Sequence, residues 1–291
     1  PGIRNSIDSD IDNVAALLKL SNLIPSNVQF AQLLDEAKKQ LHDEADYQNE
    51  LSMLQHFQSL ILNNETNADE FIVPTVYPAL CNRNILVMEF VEGQNIESII
   101  TLEQDSRNNI ATRLLSLFFK ELFAFKLMQT DPNFANYQYQ ASSDKLVLLD
   151  FGATRAIPTA LSEQYKQLMA ASMINDRKTM ENAAQNIGFF QDAITQKQKS
   201  LVLDIFYLAC EPLRFEGDYD FSDNTLAKRI KQAGMAMSMD RNEWHSPPAD
   251  AIFIHRKLAG LYLLAAKIAA KVDVKQLFEA QLRETPLKMD T

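Results

Sequence analysis

Apolar residues recur at helical spacing from the start of the chain. Ile7, Ile11, Val14, Leu17 and Leu18 predict an amphipathic helix over residues 6–20, with Ser and Asp at its opening. Phe30, Leu33, Leu34, Ala37, Leu41, Leu51, Leu54 and Phe57 extend a drifting 3.6-residue period over about residues 28–62, which predicts one longer helix. Two β-rich runs, 76–80 and 85–91, flank the turn-like Cys81-Asn82-Arg83-Asn84 and predict a hairpin. Residues 110–128 are apolar on nearly every side, as in a helix buried within a large lobe. From about residue 161 onward the pattern is helical, with Thr159 as the N-cap of the first helix. It breaks near Gly188, residues 211–223 and Ser246-Pro247-Pro248. A last helix over 258–272 leads into Lys267, Lys271 and Lys275 at i, i+4, i+8. That stripe suits an anionic membrane surface, or simply a solvated helix face.

Composition narrows the class. The 291 residues are 46% apolar and 23% charged, enough for a generous core in one large domain or two lobes. A net charge of -10 and a pI near 5.0 argue against a general nucleic-acid binder. Cys81 and Cys210 form no C-x-x-C, so reduced thiols in a cytosol-like or matrix compartment are expected. The four histidines lack zinc-ligand spacing. No apolar run approaches the roughly 20 residues of a membrane span. Since Pro1-Gly2 reads as a turn between elements, the polypeptide is expected to be a fragment.

Chemistry concentrates between Leu127 and Arg155. Asp131 and Asn136 stand five positions apart, followed by the apolar strand KLVLLD and then Asp150-Phe151-Gly152. A protein kinase carries D-x-x-x-x-N and D-F-G on either side of a short hairpin. One carboxylate sits beside the attacking oxygen, while an amide and a second carboxylate hold Mg²⁺ against the nucleotide phosphates. A kinase also needs a helix-borne Glu ahead of the hinge, to pair with a strand Lys, and Glu50 is the candidate. It lies in the acidic stretch HDEADYQNE, whose plainer reading is a solvated face. Asp46 and Glu50 share a helical face, whereas Glu44 points about 200° away from Asp46, so one regular helix cannot aim both at the same ion. The MEFVEG end of the hairpin resembles a kinase hinge, with Met88 as gatekeeper and backbone groups from Glu89 to Val91 facing adenine. After D-F-G there is no long activation loop and no A-P-E. The expected fold is α+β and protein-kinase-like in two lobes: an incomplete N-lobe over 1–91 and a mostly helical C-lobe over 92–291.

PGIRNSIDSD, DEADYQNE, MQTDPNFANY, LLDFGATR, CEPLR and HRKLAGLYLL together resemble the UbiB / AarF / ADCK atypical kinases across almost the whole chain. That family supports ubiquinone (coenzyme Q) biosynthesis in bacteria and mitochondria. The resemblance implies that Glu44 and Asp46 are the family's E-x-D pair and Glu50 the helix Glu. It likewise implies that Asp131 is the catalytic-loop Asp, and that Asn136 and Asp150 are the Mg²⁺ ligands. The implied cofactors are ATP or ADP with Mg²⁺. The implied partners are the nucleotide, a lipid or isoprenoid precursor or ubiquinone-biosynthesis proteins, and a peripheral membrane contact.

The departures matter as much. The phosphate-gripping Lys strand, alanine-rich loop and K-x-G-Q segment of the family are not in this sequence. Gln129-Thr130 replaces His-Arg, which argues against switching by loop phosphorylation. Asn133 replaces the Lys usual in enzymes that phosphorylate serine or threonine, which favours Mg-ATP binding and hydrolysis over phosphotransfer to proteins. The alternatives are a phosphotransferase acting on a protein or small molecule, and a non-catalytic pseudokinase that binds lipid or partners. Bacterial cytoplasm, with membrane association, is the expected compartment, and the matrix side of the mitochondrial inner membrane is its alternative.

Overall fold

The structure is a computed structural model that describes residues 3–20, 34–35, 38, 41–42, 45–63, 65–131, 133–190, 194–223, 225–238 and 248–287. Backbone proximity divides the chain into two compact units, Pro1–Ile96 with Gln129–Arg155, and Glu97–Met128 with Ala156–Thr291. Residues 129–155, which the lobe division at residue 91 grouped with the larger lobe, therefore associate with the amino-terminal part.

The first unit is built on a four-stranded sheet in the order Gln94–Asn95, Tyr137–Gln140, Lys145–Leu148, Phe71–Ile72. The central hairpin is antiparallel, pairing Tyr137 with Leu148 and Tyr139 with Leu146. Phe71 and Ile72 then add in parallel beside Leu146 and Val147. Tyr137 and Tyr139 are buried while Gln138 and Gln140 are less so, the alternation expected of a strand with one face on a core. The KLVLLD strand predicted from sequence is thus a central strand.

The expected long helix over 28–62 is interrupted. Ala45 and Asp46 are not helical, and a separate helix runs from Tyr47 to Leu62. Asp46 caps it: at φ -100°, ψ 89°, its carboxylate accepts the Gln48 N–H at 3.2 Å. A short acidic side chain satisfies the orphan amides of a helix start, so a new helix begins where the periodicity alone ran on. Glu44 and residues 21–33 lie outside the described residues. The first helix, Ile3–Leu20, turns Ile7 and Ala15 inward and leaves Val14 and Leu17 exposed, a narrower buried face than the apolar pattern implied. Asp12 pairs with Lys38 at 2.6 Å and Asp8 with His42 at 3.1 Å.

The hairpin is reduced to two bridges, Val76 with Met88 and Asn82 with Ile85. Residues Pro78–Leu80 form a 3-10 turn, because Pro78 has no N–H to give a ladder and suits the first position of a helical turn.

The second unit is helical. Gln104–Phe119 continues into a π-helical turn, Lys120–Phe125, which closes at Lys126 in the left-handed region (φ 53°). The single helix expected over 110–128 is therefore two segments. The wider turn is held where the Ser162 hydroxyl donates to the Leu122 carbonyl at 2.7 Å and the Glu121 carboxylate meets Lys257 at 3.3 Å, both side chains buried. Phe119 stacks on Phe123, and Phe278 packs tilted against both in the core. The helix after residue 156 starts at Thr159 with Pro158, not Thr159, as its cap residue, since Ser162 N–H already bonds the Pro158 carbonyl. Gly188, at φ 101°, ends the Arg177–Ile187 helix as expected.

The predicted lysine stripe does not exist as one helical face. The Ala249–Lys267 helix stops at Lys267, Ala269 turns left-handed at φ 50°, and Lys271 and Lys275 fall on a strand and on the Val274–Glu284 helix. Lys267 pairs with Glu97, Lys271 with Asp220 at 3.2 Å, and Lys275 with Glu216 at 2.5 Å. Among the described residues no helix is long and apolar enough to cross a membrane.

Candidate functional site

A cavity of about 430 Å³ opens within the first unit, lined by Tyr47, Glu50, Leu86, Met88, Asp131, Asp150, Gly152 and Ala153. Four segments far apart in sequence supply its wall: the start of the Tyr47–Leu62 helix, the second arm of the hairpin, the loop after Gln129 and the turn after Leu148. Leu86, Met88 and Ala153 give the wall apolar surface, and Glu50, Asp131 and Asp150 give it three carboxyl groups. That suits a ligand with a flat apolar group and a polyanionic tail brought in with a cation.

The loop after Gln129 is shaped by its own side chains. Asp131 accepts the Asn133 N–H at 3.3 Å, and Asn133 in turn accepts the Ala135 N–H at 3.1 Å. These local bonds build a 3-10 turn over Phe134–Asn136. The turn brings the Asn136 amide back to Asp131, Nδ2 to Oδ2, at 2.8 Å. The five-residue spacing seen in the sequence is thus a direct contact.

Asp150 opens a tight turn in which its Oδ1 accepts the Gly152 N–H at 2.9 Å and Phe151 O accepts the Thr154 N–H at 3.1 Å. Among the described residues none donates a hydrogen bond to the second Asp150 oxygen. Phe151 is buried and packs on Phe57 of the Tyr47–Leu62 helix, ring centroids 4.8 Å apart. Glu50, one helical stretch before Phe57, is itself buried, and its carboxylate accepts the Phe151 backbone N–H. Burial pushes the Glu50 carboxyl up to about 7, and the neighbouring negative charge of Asp150 adds to it; the Phe151 N–H works the other way.

Of the residues singled out by sequence, Glu50, Met88, Asp131 and Asp150 share the cavity wall, and Asn136 supports Asp131 from behind. Asp46 is off the wall: it caps the helix and meets Arg83 at 3.4 Å. Glu89 turns toward the other arm of the hairpin, where its N–H donates to the Thr75 carbonyl at 2.7 Å and its carboxylate accepts the Thr75 N–H. Neither Glu89 nor Val91 lines the cavity. Tyr47 and Leu86 were not singled out, although signals existed. Tyr47 is three residues before Glu50, on the same helical face, and Leu86 is two before Met88, on the same strand face.

The donor set fits a hard cation. Asp150 and Asn136 offer oxygen ligands of the kind Mg²⁺ takes, with the rest of its shell left to phosphates and water. Among the described residues no three His, Cys, Asp or Glu side chains form a cage able to hold a metal ion unaided.

Together, fold and cavity define a protein-kinase-like domain. The chain matches the ABC1 atypical kinase-like domain over residues 1–184, and it belongs to that family of atypical kinases, the UbiB-type group that the sequence motifs resemble. It is 36% identical to the rat protein named mitochondrial atypical kinase COQ8B over 279 residues, covering 96% of this chain and 52% of that one. It is 32% identical to the mitochondrial atypical kinase COQ8 of Saccharomyces cerevisiae over 281 residues, covering 96% of this chain and 55% of the relative. The chain therefore spans about half the length of these curated relatives. Among solved structures it resembles Rv3197 of Mycobacterium tuberculosis, determined in complex with erythromycin, with a TM-score of 0.72. That match has 18% identity and covers 97% of this chain and 69% of that one. At that identity the likeness concerns the fold.

Proposed function

We propose that this chain carries most of the nucleotide site of a UbiB-type atypical kinase, which binds Mg-ATP and hydrolyses it in support of ubiquinone biosynthesis. The observation that carries the reading is the convergence of Glu50, Asp131 and Asp150 on one cavity that Leu86 and Met88 also line. In this assignment Asp150 and Asn136 hold Mg²⁺, which when bound neutralises charge on the phosphates. Asp131, held by the Asn136 amide, orients the attacking oxygen and takes its proton. Glu50 is placed to pair with a lysine of the kind kinases carry on a strand beside the phosphates, and Leu86 with Met88 borders adenine. Glu44 and Asp46 remain assigned to the E-x-D pair.

Hydrolysis is favoured over phosphotransfer to a protein because Asn133 is neutral and its side chain is committed to the Ala135 amide, so it cannot act as the phosphoryl-binding Lys. The rat and yeast relatives are named as mitochondrial, which supports the mitochondrial matrix over bacterial cytoplasm as the compartment. Lys267, Lys271 and Lys275 lie on three separate elements and give a membrane no single basic helical face.

Thermal unfolding with and without Mg-ATP tests the reading, on this chain and on the full-length protein. At 100 times its dissociation constant a ligand of the folded state adds about 2.7 kcal/mol. Asp150→Asn should abolish that gain in the full-length protein. An undiminished shift in the variant would overturn the metal-ligand assignment.

A further inference from the structure

In an ordinary kinase the residue before the catalytic-loop Asp is an arginine. Here it is Thr130, 1% exposed, and the function proposed above gives it no task. Its backbone N–H and its hydroxyl both donate to a single acceptor, the Ala153 carbonyl, at 3.1 and 2.7 Å. A carbonyl oxygen has two lone pairs, so one residue fills both. Ala153 is itself buried in the cavity wall, three residues beyond Asp150, in the turn closed by the Gly152 and Thr154 amides.

We propose that Thr130 is a positioning residue that fixes the distance between Asp131 and Asp150. Its hydroxyl clasps the catalytic loop to the turn that presents the metal-binding carboxylate. The backbone bond alone is a hinge, because rotation about it leaves the loop free to slide along the turn. The hydroxyl bond, made from the same residue to the same oxygen, removes that freedom. An arginine at this position in other kinases reads a phosphorylated activation loop. Thr130 provides a constitutive tie instead, which fits a chain whose D-F-G runs into a helix at Thr159 with no long loop between them. The proposal rests on the nucleotide-site reading for its consequence, not for its geometry.

The test uses Thr130→Val, which keeps the shape and deletes the hydroxyl, and Thr130→Ser, which restores it. Both are made in the full-length protein. Amide hydrogen exchange without nucleotide is read first, at Gly152 and Thr154. The valine variant should exchange there roughly fivefold to tenfold faster than wild type and the serine variant close to wild type, the scale of one buried hydrogen bond. With Mg-ATP, the valine variant should lose roughly tenfold in kcat with KM for ATP nearly unchanged, and serine should restore it. Unchanged exchange in Thr130→Val, or equal acceleration in Thr130→Ser, would overturn the proposal, as would a normal kcat in the valine variant. If the exchange pattern holds but wild-type protein shows no response to Mg-ATP, the clasp stands and the nucleotide reading fails.

Discussion

Glu50→Gln should stabilise the ligand-free chain above neutral pH and leave it unchanged in acid. The Glu50 carboxyl is buried against Phe151 and Asp150, and its pKa moves from 4.5 in the open chain to about 7 in the folded one. Between those values the folded state keeps a proton that the unfolded state has released, so stability falls as pH rises through the window and levels off above it. The gap is worth at most about 3.4 kcal/mol. Glutamine retains an oxygen for the Phe151 N–H and carries no charge. Allowing for relaxation around the site, the net gain at pH 8 should be about 2 kcal/mol, or roughly 4–6 °C in Tm for a chain of this size. The assay is thermal unfolding of both proteins from pH 4 to 8.5. His255 titrates in the opposite sense: burial among Phe189, Phe206 and Tyr165 lowers it to about 4, so its contribution is lost as pH falls from about 6.5 toward 4. Both proteins share that limb, and it cancels in the difference. Because burial outweighs the Asp150 charge at Glu50, Asp150→Asn should keep most of the wild-type slope. Parallel pH curves for wild type and Glu50→Gln would refute the reasoning.

Two further outcomes follow from the packing. Lys257→Met removes an ion-pair partner of the buried Glu121 carboxylate and should cost about 3–5 kcal/mol in urea unfolding, most of it recovered in the Lys257→Met, Glu121→Met double variant. Asp46→Ala should cost about 0.5–2 kcal/mol by uncapping the Tyr47–Leu62 helix, while Asp46→Asn keeps the cap and should show only the small loss of the Arg83 pair. Equal effects of the two Asp46 variants would assign the stability to the ion pair.

Much of the site was legible because its spacing is enforced locally. Asp131 and Asn136 meet through two side-chain-to-backbone turns contained in five residues, and Asp150 and Gly152 through one. Such contacts need no knowledge of the rest of the chain. What escaped the periodicity were interruptions decided by single groups. Asp46 starts the Tyr47–Leu62 helix by accepting the Gln48 N–H on its carboxylate, and the pattern of apolar residues on either side continues through the break. Ser162 and Lys257, distant in sequence, hold the π-turn over Lys120–Phe125 that an all-apolar run could not foretell. The lysine triplet failed for the same reason: residues at i, i+4, i+8 share a face only while the helix lasts, and it ends at Lys267.

The distribution of charge bears on the proposed ligand. The unit that contains the cavity, residues 1–96 with 129–155, holds seven Lys and Arg against 17 Asp and Glu, while the other unit balances 21 against 21. The entire net charge of -10 therefore belongs to the half that would receive a polyphosphate. Among the described residues neither Lys nor Arg lines the cavity, and Glu50, Asp131 and Asp150 do. A nucleotide without a metal would meet Asp131, Asp150 and the partly protonated Glu50 within a negative field, an arrangement that repels it at long and short range alike. On the proposed reading, then, the divalent cation is needed even to admit the nucleotide. Nucleotide affinity should rise steeply with Mg²⁺ and respond much less to added monovalent salt.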